Sequence, residues 1–218
     1  MTKRLITIDG PAGAGKTSVS RELARRLNCI YVDTGALYRG VALEVKRGSI
    51  DWEQDAVLES FLTGISLSFA MDGDEPVLTS SGEDISSLIR TPEISMMASA
   101  ISARPCVRKA LLGLQHAIAE NNDTVFEGRD MGTVVFPHAD YKFFLVADLD
   151  TRALRRFKEN QAPAQDLSEV KKMMGSRDAN DVSREIAPLK PAEDAILIDS
   201  THLSLEEVVQ RIVEKIAQ

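Results

Sequence analysis

Five short apolar segments, at residues 5–8, 30–32, 124–126, 141–147 and 195–198, read as buried strands, and the stretches between them keep a helical period. That alternation predicts a parallel sheet wrapped by helices, because parallel strands need crossover connections and are covered on both faces. After the first segment Val19, Leu23 and Leu27 recur every four residues, one apolar face for packing on the sheet. Near the other end Leu205, Val208, Val209, Ile212, Val213 and Ile216 form a second stripe, and Ser204 followed by Glu206 and Glu207 is its start signal.

Residues 52–89 break the alternation. Ile65-Ser66-Leu67-Ser68-Phe69 alternates apolar and polar residues, Met71-Asp72-Gly73-Asp74-Glu75-Pro76 reads as a turn, and Val77-Leu78-Thr79 reads as a return strand. The pattern predicts a small antiparallel sheet inserted as a lobe. Two helices should follow, starting near Thr91-Pro92 and near Ala103-Arg104-Pro105, each with proline where a first helical turn accepts it. The 218 residues thus read as one domain, with its core at 1–51, 103–151 and 191–218, an insert at 52–102 and a lid region at 152–190. The last of these carries Arg152, Arg155, Arg156, Lys158, Lys171, Lys172, Arg177, Arg184 and Lys190, with Gln161-Ala162-Pro163-Ala164 as a breaker. Charge runs of this kind are usually a solvated helical face.

Composition narrows the classes. A 44% hydrophobic content suffices for a core without staples. Cys29 and Cys106 form no metal or redox spacing, suit a reducing compartment and read as small buried hydrophobes. His116, His138 and His202 share no ligand spacing, so no transition-metal site is expected. A net charge of −7 argues against polymeric nucleic acid as a partner, since a phosphate backbone needs a basic face. No apolar run reaches the ~20 residues of a membrane span, and Met1-Thr2-Lys3-Arg4 enters the first strand at once, so a soluble cytoplasmic protein without a signal peptide is expected.

Chemistry enters at Asp9-Gly10-Pro11-Ala12-Gly13-Ala14-Gly15-Lys16-Thr17-Ser18, a strand turning through a glycine-rich loop into a helix. This is the GxxxxGKS/T pattern of a P-loop, in which glycines let backbone N–H groups fold around phosphates. Lys16 should reach the outer phosphates and the Thr17 hydroxyl should hold a magnesium ion. A P-loop alone does not separate a kinase from a GTPase or a passive binder.

Three further clusters bear on that choice. Asp33, in Asp33-Thr34-Gly35-Ala36-Leu37-Tyr38-Arg39, stands at a strand end where it could order a magnesium-bound water, approach an acceptor phosphate, or simply cap a helix. In Glu127-Gly128-Arg129-Asp130 the arginine can grip phosphate and the aspartate can accept from an amine, although such a pair is most often a structural salt bridge. Arg177, Asp181 and Arg184 fall at helical spacing, on a face that either meets a ligand or pairs internally.

With these pieces in order, the sequence resembles the bacterial cytidylate kinases, on IDGPAGAGKT, VDTGALYRG, the insert leading into IRTPE, FEGRDMGTVVFP and SRDANDVSREIAPLKPAEDAILIDST. The resemblance implies a three-layer P-loop kinase core on a five-stranded parallel sheet, an enlarged monophosphate-binding insert and an arginine-bearing lid. It implies ATP on Gly10, Pro11, Ala12, Gly13, Ala14, Gly15, Lys16, Thr17 and Ser18, with Mg2+ on Thr17. It puts the acceptor phosphate near Arg39, Arg129 and Arg184, and the pyrimidine against Ser99, Arg108 and Asp130. Thr34 joins the substrate contacts, Asp181 takes the ribose hydroxyls, and Lys16, Asp33, Arg177 and Arg184 serve the transfer. CMP and dCMP are the implied acceptors and a monomer the implied state. The chain departs from the family pattern in a shorter lid around residues 160–167 and in Phe136-Pro137-His138, where the family carries FPD. Another small P-loop kinase would lack the strand-rich insert, and a regulatory GTPase would carry an N/TKxD segment, which is missing here.

Overall fold

The computed structural model describes residues 3–73, 75–160 and 166–217, so the breaker at 161–164, part of the shortened lid and Asp74 of the expected turn lie outside the described residues. The chain forms two compact units, one of Arg4–Tyr31 with Thr124–Gln218 and one of Val32–Asp123 with Met1–Lys3.

In the first unit the expected strands form as β1 (Leu5–Asp9), β2 (Ile30–Asp33, whose last two residues open the other unit), β6 (Thr124–Glu127), β7 (Tyr141–Val146) and β8 (Ile196–Asp199). They make one five-stranded sheet of order β2-β6-β1-β7-β8, in which β1 runs parallel to β6 and β7, and β7 parallel to β8. Its centre is apolar because Ile6, Ile8, Val125, Phe143 and Leu145 alternate with buried neighbours on strands closed on both sides. Helix α1 (Lys16–Leu27) packs Val19 and Leu23 there, as its four-residue repeat dictates. Helix α8 (Leu205–Ile216) adds Val208, Val209 and Ile212, whereas Leu205, in its first turn, is exposed. Ser204 and Glu207 cap α8 reciprocally, satisfying N–H groups that a helix start leaves open. The charge run forms α6 (Leu149–Asn160) and α7 (Leu167–Ser183). Among the described residues no helix is long and apolar enough to cross a membrane.

In the second unit α2 (Thr34–Arg47), α3 (Asp55–Leu62), α4 (Pro92–Ile101) and α5 (Pro105–Asn121) surround a core of Leu37, Val41, Leu58, Leu78, Ile85, Ile101 and Val107. The prolines open α4 and α5 as expected, and the Thr91 hydroxyl caps α4 by accepting the Ile94 N–H at 3.2 Å. The lobe is antiparallel, β3 (Leu67–Asp72) against β4 (Glu75–Ser80), with Phe69 opposite Leu78. It has three strands, one more than alternation predicts: β5 (Glu83–Asp84) is two exposed acids with no apolar signature, and Arg47 grips Glu83 through two 2.9 Å bonds. Cys29 and Cys106 correct the sequence reading, since each is half-buried at a core margin instead of buried.

The loop after β1 shows why glycine is required. Gly10 has φ 144°, and a Cβ there would lie 2.1 Å from the Leu145 carbonyl oxygen of β7. Neither atom is the end of a flexible side chain. Gly10→Ala is therefore expected to cost upwards of about 3 kcal/mol in urea denaturation, and an unchanged midpoint would contradict this packing.

Candidate active site

The P-loop runs from the carboxyl end of β1 to the first turn of α1, whose cap Gly15 takes the left-handed conformation at φ 89°. Lys16 is buried, and its Nζ donates to the Pro11 carbonyl at 2.7 Å across the loop. Burial holds the Lys16 amine down to about 7, the Arg129 and Arg177 guanidiniums add to that, and the Glu127 and Asp9 carboxylates oppose it. Two guanidiniums and two carboxylates thus act on one buried amine.

The carboxyl end of β6, beside β1, supplies two further groups. Glu127 lies opposite Ile8 in the sheet register; its Oε1 accepts from the Thr17 hydroxyl at 2.9 Å and its Oε2 from the Tyr31 hydroxyl at 2.7 Å. Neither Glu127 nor Tyr31 has a role in the sequence reading, yet an acid at the end of a strand neighbouring the P-loop strand was the available signal. Asp9 likewise has no role in the sequence reading. Its buried carboxylate accepts from the Met131 and Gly132 N–H groups at 2.9 and 2.8 Å, tying the loop to a single π-helical turn at Met131–Val135. Burial pushes Asp9 up to about 6 against those two hydrogen bonds, the Asp130 carboxylate adds to the rise, and Lys16 opposes it.

Just before that turn stand Arg129 and buried Asp130. Arg129 Nε donates to Asp181 Oδ2 at 3.3 Å, and Arg184 Nη2 meets Asp181 Oδ1 at 2.7 Å, so one buried carboxylate holds two arginines. Helix α7 ends at Ser183, one residue short of the expected face, and Arg184 is its extended C-cap. The structure therefore gathers Lys16, Thr17, Arg129, Arg177, Asp181 and Arg184 within one unit, through the Asp181 pairs and the charges felt at Lys16.

The other unit holds Asp33, Thr34, Arg39, Ser99 and Arg108. Asp33 caps α2 by accepting the Ala36 N–H at 3.2 Å, and its Oδ2 pairs with Arg39 Nη2 at 2.8 Å. Arg108 lies over the Tyr38 ring at 5.7 Å and donates to the Ser102 carbonyl at 3.2 Å, while the Ser102 hydroxyl donates to the Ser99 carbonyl at 2.8 Å. Thr34, the first residue of α2, is buried. Tyr38, which backs Arg108, is a residue that spacing alone did not single out.

A proton balance follows from Lys16. Its folded value lies below the ordinary 10.5, so above pH 7 the free protein carries this amine largely neutral. A bound triphosphate favours the ammonium and draws a proton in. Calorimetry at pH 8 in two buffers of different ionisation enthalpy is expected to show uptake approaching about one proton per ATP, with affinity falling as pH rises from about 7 to 9. Zero uptake would place the phosphates away from Lys16.

Comparison with known proteins fits this geometry. The chain resembles shikimate kinase from Bacteroides thetaiotaomicron in fold alone, with a TM-score of 0.51 and 15% identity over 98% of each chain. It is 44% identical to a cytidylate kinase of Geobacter sp. (strain M21) over 98% of this chain and 94% of that protein. It is 42% identical to one of Ligilactobacillus salivarius over 100% and 99%. The sequence model of the family described as cytidylate kinase matches residues 6–218, and the chain belongs to the cytidylate kinase family.

Proposed function

We propose that the chain transfers the γ-phosphoryl group of ATP directly to CMP or dCMP, yielding ADP and CDP or dCDP. The observation that carries this reading is the cation cluster beside the P-loop: Arg129 and Arg184 share the buried Asp181 carboxylate, and Arg129 and Arg177 act on Lys16, whose amine is held down first of all by burial. A ligand bearing several negative charges is the counterpart such a cluster suits, and a triphosphate next to a monophosphate supplies them.

In this reading residues 10–18 bind the ATP phosphates. Arg39, Arg129 and Arg184 take the acceptor phosphate, with Thr34 beside it. Ser99, Arg108 and Asp130 face the cytosine, and Asp181 reaches the ribose hydroxyls while keeping its two arginines in place. Asp33 serves as a positioning residue that aims Arg39. The insert at 52–102 serves the acceptor monophosphate, and the lid region at 152–190 contributes Arg177 and Arg184 to the transfer. A hydroxyl and a carboxylate are the hard oxygen donors that magnesium prefers, and Thr17 and Glu127 meet that requirement at one point. Together they would hold Mg2+, which when bound neutralises charge on the outer phosphates.

The acceptor oxygen is already ionised at neutral pH, so no general base is needed. A CMP phosphate oxygen attacks the γ-phosphorus in line with the departing ADP, and the chain's contribution is alignment plus charge neutralisation by Lys16, Arg177 and Arg184. A cytoplasmic monomer is the form this reading assigns. Incubation with ATP, Mg2+ and CMP, dCMP, UMP, AMP or GMP in turn, with ADP measured, should give strong turnover for CMP and dCMP. No nucleotide-dependent ADP would exclude a kinase, and best activity with AMP would exclude a cytidylate kinase.

A further inference from the structure

Three carbonyls of the phosphate loop are engaged by side chains. Lys16 Nζ takes the Pro11 oxygen at 2.7 Å. Arg152 on α6 donates from Nη1 to the Ala12 oxygen at 3.0 Å and from Nε to the Ala147 oxygen at 2.9 Å, and its Nη1 also meets Asp178 Oδ2 of α7 at 2.5 Å. Ser200, just past β8, donates its hydroxyl to the Ala14 oxygen at 3.0 Å. Arg155, one turn along α6 from Arg152, holds that serine through Nη1 to its hydroxyl at 3.1 Å and Nη2 to its carbonyl at 2.6 Å.

The consequence lies in the peptide plane. In a trans peptide the carbonyl and the following N–H point to opposite sides. Pinning the Ala12 oxygen therefore aims the Gly13 N–H, and pinning the Ala14 oxygen aims the Gly15 N–H. Both glycines sit at positive φ, 75° and 89°, where an unpinned backbone has the most freedom to turn its amides away. Arg152 and Ser200 are buried, and α6 closes directly on the loop: a Cβ on Gly13 would stand 3.0 Å from Arg152 Cβ.

We propose that Arg152 and the Arg155–Ser200 pair form a brace behind the phosphate loop, positioning residues that aim the Gly13 and Gly15 amides at the ATP phosphates. The arginine run then divides by task. Arg152 and Arg155 shape the donor loop, and Arg177 and Arg184 meet the transferred group. Asp178 keeps the Arg152 charge compensated and registers α7, which carries Arg177, against the same loop.

The proposal rests on reading the loop as an ATP site, and its test is made without the acceptor. In 15N-labelled protein, Arg152→Met should shift the Gly13 amide and Ser200→Ala the Gly15 amide. Calorimetry with ATP alone should show Kd raised at least about tenfold in Arg152→Met and a few-fold in Ser200→Ala. Arg152→Lys, which keeps a donor and the charge, should recover most of the affinity, and KM for CMP should stay within about twofold of the parent in all three, since no arm of the brace faces the acceptor. Parental Gly13 and Gly15 amides with parental ATP Kd would overturn the brace, as would a raised KM for CMP at unchanged ATP Kd. Should Arg152→Met fail to fold, Ser200→Ala and Arg155→Lys decide the matter, because they remove one oxygen and one fork. Lack of CMP-dependent ADP production by the parent would sink the kinase reading alone and leave the ATP titrations standing.

Discussion

Arg184→Ala is expected to lower kcat by about 10³ while moving the Kd for ATP by less than about threefold. Arg184 stands at the end of α7, with its guanidinium on Asp181 at 2.7 Å. The role proposed for it is to meet charge that develops during transfer, and a single arginine in that role is worth this much in phosphoryl transfer. Stability should suffer less, because buried Asp181 keeps its bond to Arg129. Single-turnover rates, ATP calorimetry and thermal denaturation separate the three effects. Parental turnover in the variant would remove Arg184 from the mechanism.

Lys16→Met should show a different signature. In the proposed reaction the lysine meets phosphate both before and during transfer, so kcat/KM for ATP should drop by about 10³ or more, with Kd for ATP weakened as well. Stability should move the opposite way. The amine is held at about 7 in the folded chain against 10.5, so its favourable contribution is complete only above pH 10.5 and is lost as pH falls toward 7. At pH 7 most of the cost of burying this amine has already been incurred, and methionine removes it. The urea midpoint of Lys16→Met should equal or exceed that of the parent, an activity loss without a stability loss. A clearly lower midpoint would mean that the bond from Lys16 to the Pro11 carbonyl outweighs the repulsion.

Much of this architecture is legible from residue order because its determinants are local. The sheet strands announce themselves as apolar runs, α4 and α5 by proline, α8 by Ser204 and its stripe, and the P-loop by three glycines, Lys16 and Thr17 at fixed spacing. What stays hidden is decided by partners distant in sequence. Glu127 meets Thr17 across 110 positions, and only the pairing of β1 with β6 makes them neighbours. The pairing of β5 is set by its partner strand and Arg47, since its own residues are two exposed acids. A charge period likewise reveals nothing about burial: Arg152 looks like one more solvated cation of α6 and is in fact sunk against the Ala12 carbonyl and Asp178. Asp33 presents the mildest case, where the helix cap and the ion pair to Arg39 are both satisfied by the same carboxylate.

In the proposed site the reading of cytosine falls to Asp130, which is 3% exposed and stands between Arg129 and the π-helical turn. Cytosine offers an exocyclic amine where uracil offers a carbonyl, and a buried carboxylate left facing that carbonyl is strongly disfavoured. The measurement that bears on this most directly is the ratio of kcat/KM for CMP over UMP, taken for the parent and for Asp130→Asn. The parent ratio should be about 10² or more and should collapse to within about tenfold in the variant, chiefly through KM for CMP. An equal ratio in the two proteins, or a parent that prefers UMP, would contradict it.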